Sequence, residues 1–229
     1  MGLVIYDLIR WVLMKIMQDK RVYIVWLAIF AVWSIYRAFF RFPEAVDELI
    51  VKPLIFVAPV LYFVLLVEKS TLESIGLTTR NLFREIYLGL GIGVFFALEG
   101  LLVNLVKYGT FSFLPIQAVA SVGLMPFLLF TLFTSVSEEI LGRGFVYSRI
   151  AASEKNQFKA IIIASFLFLL LHIPILFAQL NLTGGSLVVY LVSIFILGVT
   201  NSYMFSLRKS LVIPILIHIF WNATVALYL

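Results

Sequence analysis

The chain has no cysteine and only two histidines among its 229 residues. Without cysteine there is no disulfide, no thiolate metal ligand and no cysteine nucleophile. Charged residues are also scarce, at 13% of the chain compared with about a quarter in a soluble domain. Hydrophobic residues make up 63% and the mean hydropathy is +1.11. Because no soluble fold of this length buries so much apolar surface, the composition predicts an all-α polytopic membrane protein in a lipid bilayer.

The net charge of +5 does not indicate a nucleic-acid partner, because the basic residues are scattered at the ends of apolar runs. Membrane topology explains them better. Of the 17 Lys and Arg residues, only Arg37, Arg41, Lys52 and Lys107 fall on one side of the predicted bundle, and the other thirteen fall on the opposite side. The positive-inside rule then predicts a cytoplasmic N-terminus and an integral protein of the cell membrane.

Seven stretches are long enough to cross a hydrocarbon core, which needs about 20 residues. They run over 22–40, 49–67, 86–106, 115–137, 158–180, 187–207 and 211–229, and the fourth continues as helix to Ile150. Residues 1–21 place Asp7, Arg10 and Lys15 on one polar face, which predicts an amphipathic helix lying in the membrane interface. We therefore predict one domain, 1–229, with about seven transmembrane helices in 22–229 and an interfacial helix before them.

Rare ionisable groups interrupt three of these spans at similar depth. With a rise of about 1.5 Å per residue, Glu138, His172 and His218 lie roughly 14–20 Å from the inner boundary. Buried ionisable groups are costly in a membrane and usually serve a function. We therefore expect a polar site near the midplane or in the cytoplasmic half. Read singly, the glutamates also suit a solvated helix end, and the histidines suit hydrogen bonds between helices.

The spacing within each motif suggests a division of roles. Glu139 and Arg143 are four residues apart and can pair along one helix face, whereas Glu138 is rotated by about 100° and stays free for chemistry. His218 and Asn222 also share a helix face. A carboxylate and a histidine can activate water while the other two groups hold an oxyanion. Alternatively, Glu138, His172 and His218 can ligate a catalytic zinc.

These motifs resemble those of a known family. Glu138-Glu139-x-x-x-Arg143-Gly144, Phe168-x-x-x-His172 and His218-x-x-x-Asn222 are similar, in order, to the three motifs of the CPBP intramembrane proteases. That family includes the type II CAAX prenyl endopeptidases and the bacteriocin-processing or bacteriocin-immunity (Abi) proteins. The motifs span 138–222, and every motif residue is present.

The resemblance implies a role for each motif residue and a prokaryotic membrane as the location. Glu138 is expected to be the general base, with His172 assisting it, and His218 and Asn222 are expected to hold the oxyanion. Glu139, Arg143 and Phe168 are expected to support the site. No cofactor is expected, although members have been described both as metal-dependent and as metal-free, so zinc stays open.

The expected function is an intramembrane endopeptidase that hydrolyses a membrane-associated or lipidated, CAAX-like peptide. Two alternatives belong to other classes. A non-catalytic immunity or scaffold protein of the same family would retain its function in a Glu138 variant. A transporter using the same polar layer would show substrate flux in liposomes and no proteolysis.

Overall fold

The computed structural model describes residues 2–109 and 122–228, with side chains except those of 2–19, 96, 97, 99–104, 106–108, 179 and 225–228. The described chain is helical and contains no strand in these ranges. Seven long helices carry the fold: α1 (Gly2–Phe39), α2 (Glu44–Val67), α3 (Leu82–Tyr108), α4 (Leu124–Ser153), α5 (Gln157–Ala178), α6 (Gly184–Arg208) and α7 (Val212–Tyr228). This confirms the predicted all-α membrane bundle.

Within the described residues, five helical segments are long and apolar enough to cross a membrane. They are Lys20–Phe39, Glu44–Val67, Leu124–Ser153, Gln157–Ala178 and Gly184–Arg208, and Val212–Thr224 is a shorter apolar helix. The chain is therefore an integral membrane protein. The predicted segment 115–121 at the start of the fourth span lies outside the described residues.

The first helix differs from the prediction, because α1 runs without a break from Gly2 to Phe39. No proline or glycine lies between Gly2 and Phe39, so nothing in the sequence separates residues 1–21 from the span that follows. The helical state of this segment agrees with the sequence. Its location in the membrane interface stays a prediction.

The connections between helices define two ends of the bundle. One end, which we call the basic end, contains Lys20 and the connections 68–81, 154–156 and 209–211. The end where α1 meets α2 and α5 meets α6 is called the opposite end. Arg149 pairs with Glu68, and Arg208 pairs with Glu85, at the basic end. At the opposite end the Arg41 guanidinium donates to the Ala178 carbonyl, at 3.2 Å, and ties α1 to α5.

The core lies between α1, α2, α4 and α5, where Trp26, Val60, Leu141 and Ile161 are buried. Helix α7 packs against α3, α4 and α6, and α6 packs along α5. This arrangement brings the middle of α4 against α5 and α7.

Helix α5 is interrupted at His172, one of the predicted site residues. Its α-helical part ends at Leu170, a turn covers Leu171 and His172, and helix resumes at Ile173. Pro174 has no N–H to donate to the carbonyl four residues earlier, so the regular helix cannot continue through this point. The sequence predicts a bend just past His172, and the structure places the break at His172 itself.

Candidate active site

Glu138, His172 and His218 meet in one place, although they come from α4, α5 and α7. The Nε2 atom of His172 lies 3.5 Å from Glu138 Oε2, and the Nε2 atom of His218 lies 3.7 Å from the same oxygen. Glu138 and His218 are buried, with 7% and 2% exposed. The structure thus brings together the three residues that the sequence analysis singles out at similar depth.

The other ring nitrogens determine which tautomer each histidine adopts. His172 Nδ1 lies 3.0 Å from the Phe168 carbonyl, and a carbonyl only accepts, so Nδ1 donates. His218 Nδ1 likewise donates to Glu139 Oε1, at 2.7 Å. In the neutral imidazoles both Nε2 atoms therefore have a free lone pair facing Glu138 Oε2. Glu138 Oε2 thus has two ring nitrogens within 3.7 Å, and a water bound there can donate its two O–H groups to two of these three atoms.

Glu139 faces away from Glu138 Oε2, and its carboxylate accepts from three groups. Its Oε1 atom lies 2.8 Å from Arg143 Nη1, 2.9 Å from Asn201 Nδ2 and 2.7 Å from His218 Nδ1. Glu139 is fully buried and Arg143 is 1% exposed. The pair at four-residue spacing is present as the sequence predicts. Glu139 also orients His218, as a carboxylate orients the histidine of a catalytic triad.

Asn201 is a site residue that the sequence analysis did not identify. It is fully buried on α6 and donates both to Glu139 and to the Pro214 carbonyl, at 3.1 Å. An asparagine inside an apolar span was the available signal, since such side chains usually bond across helices.

Phe168 joins the two histidines to the ion pair. Its ring lies edge-on to His172 and to His218, with centroids 4.8 and 6.0 Å apart. The Arg143 guanidinium stacks on the Phe168 ring at 4.0 Å from the centroid. This cation–π contact gives a buried cation a second favourable partner. Phe168 therefore has the contacts of a supporting residue.

Lys52 is the second residue that the sequence analysis missed. Its Nζ atom lies 3.1 Å from Glu138 Oε1 and 2.8 Å from Glu48 Oε2, and the residue is 6% exposed. The positive-inside rule predicts Lys52 at the outer surface, as one of the charges that set the topology. Two signals argued otherwise: Lys52 lies inside the apolar run of α2, and Glu48 precedes it by four residues, at ion-pair spacing.

Arg37 was also predicted at the outer surface, and the structure places it in the interior instead. It is buried at 4% exposure and pairs with Asp47 at 2.9 Å, between α1 and the start of α2. Arg37 and Lys52 therefore neutralise buried carboxylates rather than mark the membrane surface. Of the four basic residues predicted on that side, Arg41 is exposed, and the side chain of Lys107 lies outside the described residues.

Two cavities that share part of their lining lie against the Glu138 carboxylate. The larger encloses about 210 Å³, and Thr134, Ser193, Leu197, Trp221 and Asn222 contribute to its walls. The smaller encloses about 60 Å³ and reaches toward Trp33 and Arg37 of α1. Lys52, Glu138, His172 and Tyr190 line both. Asn222 thus shares a wall with His218, where the sequence analysis expects an oxyanion to be held.

The predicted zinc alternative can be tested against these residues. In the described part of the chain, no group of three or more His, Cys, Asp and Glu side chains has the arrangement of a metal site. The Lys52 ammonium also already holds Glu138 Oε1, so a second cation would face it across one carboxylate. Zinc at Glu138, His172 and His218 therefore stays a prediction, and we derive no step through it.

Part of the chain is similar to a known protein family. Residues 120–224 match the family model described as Type II CAAX prenyl endopeptidase Rce1-like. The matched segment, 105 of the 229 residues, is similar to the type II CAAX prenyl endopeptidase family. The match covers every motif residue from Glu138 to Asn222 and confirms the predicted resemblance.

That family is a family of peptidases, so the matched segment is similar to peptidases. No curated protein and no solved structure matches the chain. The roles of individual residues therefore depend on the site geometry described above.

Proposed function

We propose that the chain is an intramembrane endopeptidase that hydrolyses a peptide bond in a membrane-associated or lipidated peptide. The observation that carries the proposal is the approach of His172 Nε2 and His218 Nε2 to the same carboxylate oxygen, Glu138 Oε2. Glu138 Oε2 and His172 Nε2 are the acceptors that orient a water for attack, and Glu138 takes its proton. The family match supports the same reaction class.

Each polar side chain of the site has one role in the proposed reaction. Water attacks the scissile carbonyl carbon and gives a proton to Glu138 Oε2, with His172 Nε2 fixing its second O–H. The carbonyl oxygen becomes an oxyanion, which accepts from the Asn222 amide and from protonated His218. His218 must be protonated for this role, because its Nδ1–H already donates to Glu139. Glu138 then returns its proton to the leaving amine as the C–N bond breaks.

The cavity walls favour an apolar substrate. Ile194, Leu197 and Trp221 line the space around the charged groups. Ligand sites of this kind combine apolar walls with a few polar groups that fix orientation. A hydrophobic or lipid-modified peptide suits such walls, whereas nucleic acid does not. As part of the proposal, the protein belongs to a prokaryotic cell membrane with its N-terminus in the cytoplasm.

The test uses purified protein in detergent and a set of three synthetic peptides. One ends in a farnesylated CAAX sequence, the second is the same peptide without the prenyl group, and the third is a soluble peptide of similar length. Mass spectrometry locates any cleaved bond. The proposal expects cleavage near the C-terminus of the farnesylated peptide, with at least tenfold slower cleavage of the soluble one. Intact peptides after incubation with folded protein would contradict it.

A further inference from the structure

Helix α6 presents one continuous face to the site. Four of its residues, at spacings of three and four, line the larger cavity: Tyr190, Ser193, Ile194 and Leu197. Four residues after Leu197, on the same face, Asn201 donates to Glu139 Oε1 at 2.9 Å. This hydrogen bond holds α6 in one rotation about its own axis. The face that carries Tyr190 is therefore directed toward the cavity.

Close packing against α5 also holds this part of α6 in place. A Cβ atom added to Gly198 would lie 3.0 Å from the Cβ atom of Ser165, closer than two such carbons normally approach. Ile194 and Leu197 form one buried apolar cluster with Phe168 of α5, and Tyr190 packs against that cluster. The Tyr190 ring is thus positioned by the protein before any substrate binds.

The Tyr190 phenol is a hydrogen-bond donor that faces the site without a partner. Tyr190 lines both cavities together with Glu138 and His172. Its backbone carbonyl accepts from Ser193, whereas its O–H group donates to no residue in the described part of the chain. A tyrosine phenol carries its proton at neutral pH. Tyr190 can therefore donate to a molecule in the cavity.

The other hydroxyl groups that line the larger cavity already donate to the protein. Ser193 Oγ donates to the Tyr190 carbonyl at 2.8 Å, and Thr134 Oγ1 donates to Glu48. The Asn222 amide, in contrast, makes no hydrogen bond to any residue that the structure describes. Tyr190 and Asn222 are therefore neutral donors that stay available to a substrate.

From this arrangement we infer that Tyr190 is a further catalytic residue, whose phenol donates a hydrogen bond to the oxyanion. As the water oxygen bonds to the carbonyl carbon, the electron pair of the C=O double bond moves onto the carbonyl oxygen. The Tyr190 O–H group and the Asn222 amide stabilise that negative charge, and the phenol keeps its proton throughout. Donors aimed at a developing charge lower the barrier more than they strengthen substrate binding. The inference rests on the proposed peptidase function.

The variant Tyr190→Phe tests the inference, because it removes only the phenol oxygen and leaves the ring in its apolar contacts. We expect kcat on the farnesylated peptide to fall about 10²–10³-fold, the usual effect of losing one oxyanion donor, with KM nearly unchanged. Its melting temperature in detergent should stay at the parental value. Tyr203→Phe, an exposed tyrosine of the same helix, is the matched control and should cleave at the parental rate. A parental kcat, or a change confined to KM, would overturn the inference.

A binding measurement decides the inference even if no peptide is cleaved. The probe N-acetyl-S-farnesylcysteine aldehyde forms a hydrate with the tetrahedral centre of the intermediate, whereas the corresponding alcohol cannot. We expect Tyr190→Phe to weaken binding of the aldehyde about tenfold in calorimetry and to leave binding of the alcohol unchanged. Equal aldehyde affinities for parent and variant, equal weakening of both probes, or no binding of either probe would overturn it. Aldehyde binding that depends on Tyr190, without cleavage by the parent, would contradict the proposed hydrolysis alone.

Discussion

At the scale of single residues, two adjacent carboxylates have opposite tasks because α4 rotates them apart. Glu138 faces the cavity, where one oxygen meets Lys52 and the other meets two histidine nitrogens. Glu139 faces the protein interior and accepts from Arg143, Asn201 and His218. Neither role is visible in the composition. The 100° step between neighbours on a helix is the physical reason that the sequence allowed the two to be separated.

The different environments of Glu138 and Glu139 predict different losses of stability when either residue is replaced by glutamine. Glu139→Gln removes the charge that balances Arg143 in a fully buried pair, so we expect a loss of about 3–5 kcal/mol in stability. Glu138→Gln is milder, because Lys52 keeps Glu48 as an ion-pair partner. Thermal unfolding in detergent compares the two variants. Equal melting temperatures would show that Glu139 carries no special structural role.

Lys52 gives a second prediction at this scale. We expect Lys52→Met to slow cleavage about 10²-fold, because Glu138 Oε1 loses the partner that holds the carboxylate in place. Lys52→Arg retains a cation and is expected to recover part of the rate. The measurement is kcat and KM for both variants on the farnesylated peptide. A change confined to KM would indicate that Lys52 contacts substrate instead of positioning Glu138.

At the scale of helices, most boundaries and the bend near Pro174 could be predicted from the sequence, whereas the exact position of the break could not. Apolar runs of about 20 residues determine where a helix can cross the membrane, and the observed helices follow the predicted runs closely. Pro174 explains why α5 breaks, and a contact with another helix accompanies the break at Leu171 and His172. Trp33 of α1 donates from Nε1 to the Leu171 carbonyl, at 3.0 Å, which a reading of α5 alone cannot show.

That hydrogen bond predicts a difference between two tryptophans of α1. Trp33→Phe removes the donor to Leu171, so we expect a loss of about 1 kcal/mol and several-fold slower cleavage, since His172 adjoins the break. Trp26→Phe is the matched control. Trp26 is similarly buried, and its Nε1 has no hydrogen-bond partner among the described residues. Similar rates for the two variants would contradict a role for this contact in positioning His172.

At the scale of the whole molecule, the site assembles from parts that the sequence identifies separately. Glu138, His172 and His218 were predicted from their rarity and depth, and the structure brings them together. Lys52 and Asn201 were missed, because their partners lie 86 and 62 residues away in the chain. Local signals showed that Lys52 and Asn201 were unusual, but not which distant residue each would contact. Arg37 was misplaced although its partner is near in sequence, since Asp47 lies across the turn from α1 to α2.

The charge arrangement of the assembled site also predicts its response to chelators. We expect cleavage to continue at an unchanged rate after dialysis against a zinc chelator, because Lys52 is the cation that holds Glu138. The rate is measured before dialysis, after dialysis and after zinc is returned. Loss of activity that zinc restores would contradict this prediction and would assign Glu138, His172 and His218 to a metal.

The most direct test of the account is the cleavage rate of Glu138→Gln on the farnesylated peptide, at matched amounts of folded protein. Loss of a general base is expected to slow the reaction by about 10²–10⁴-fold. Glu73→Gln, an exposed glutamate at the basic end, serves as the control and should cleave at the parental rate. The account predicts that only the Glu138 variant loses activity. A Glu138→Gln protein that cleaves as fast as the parent would contradict it.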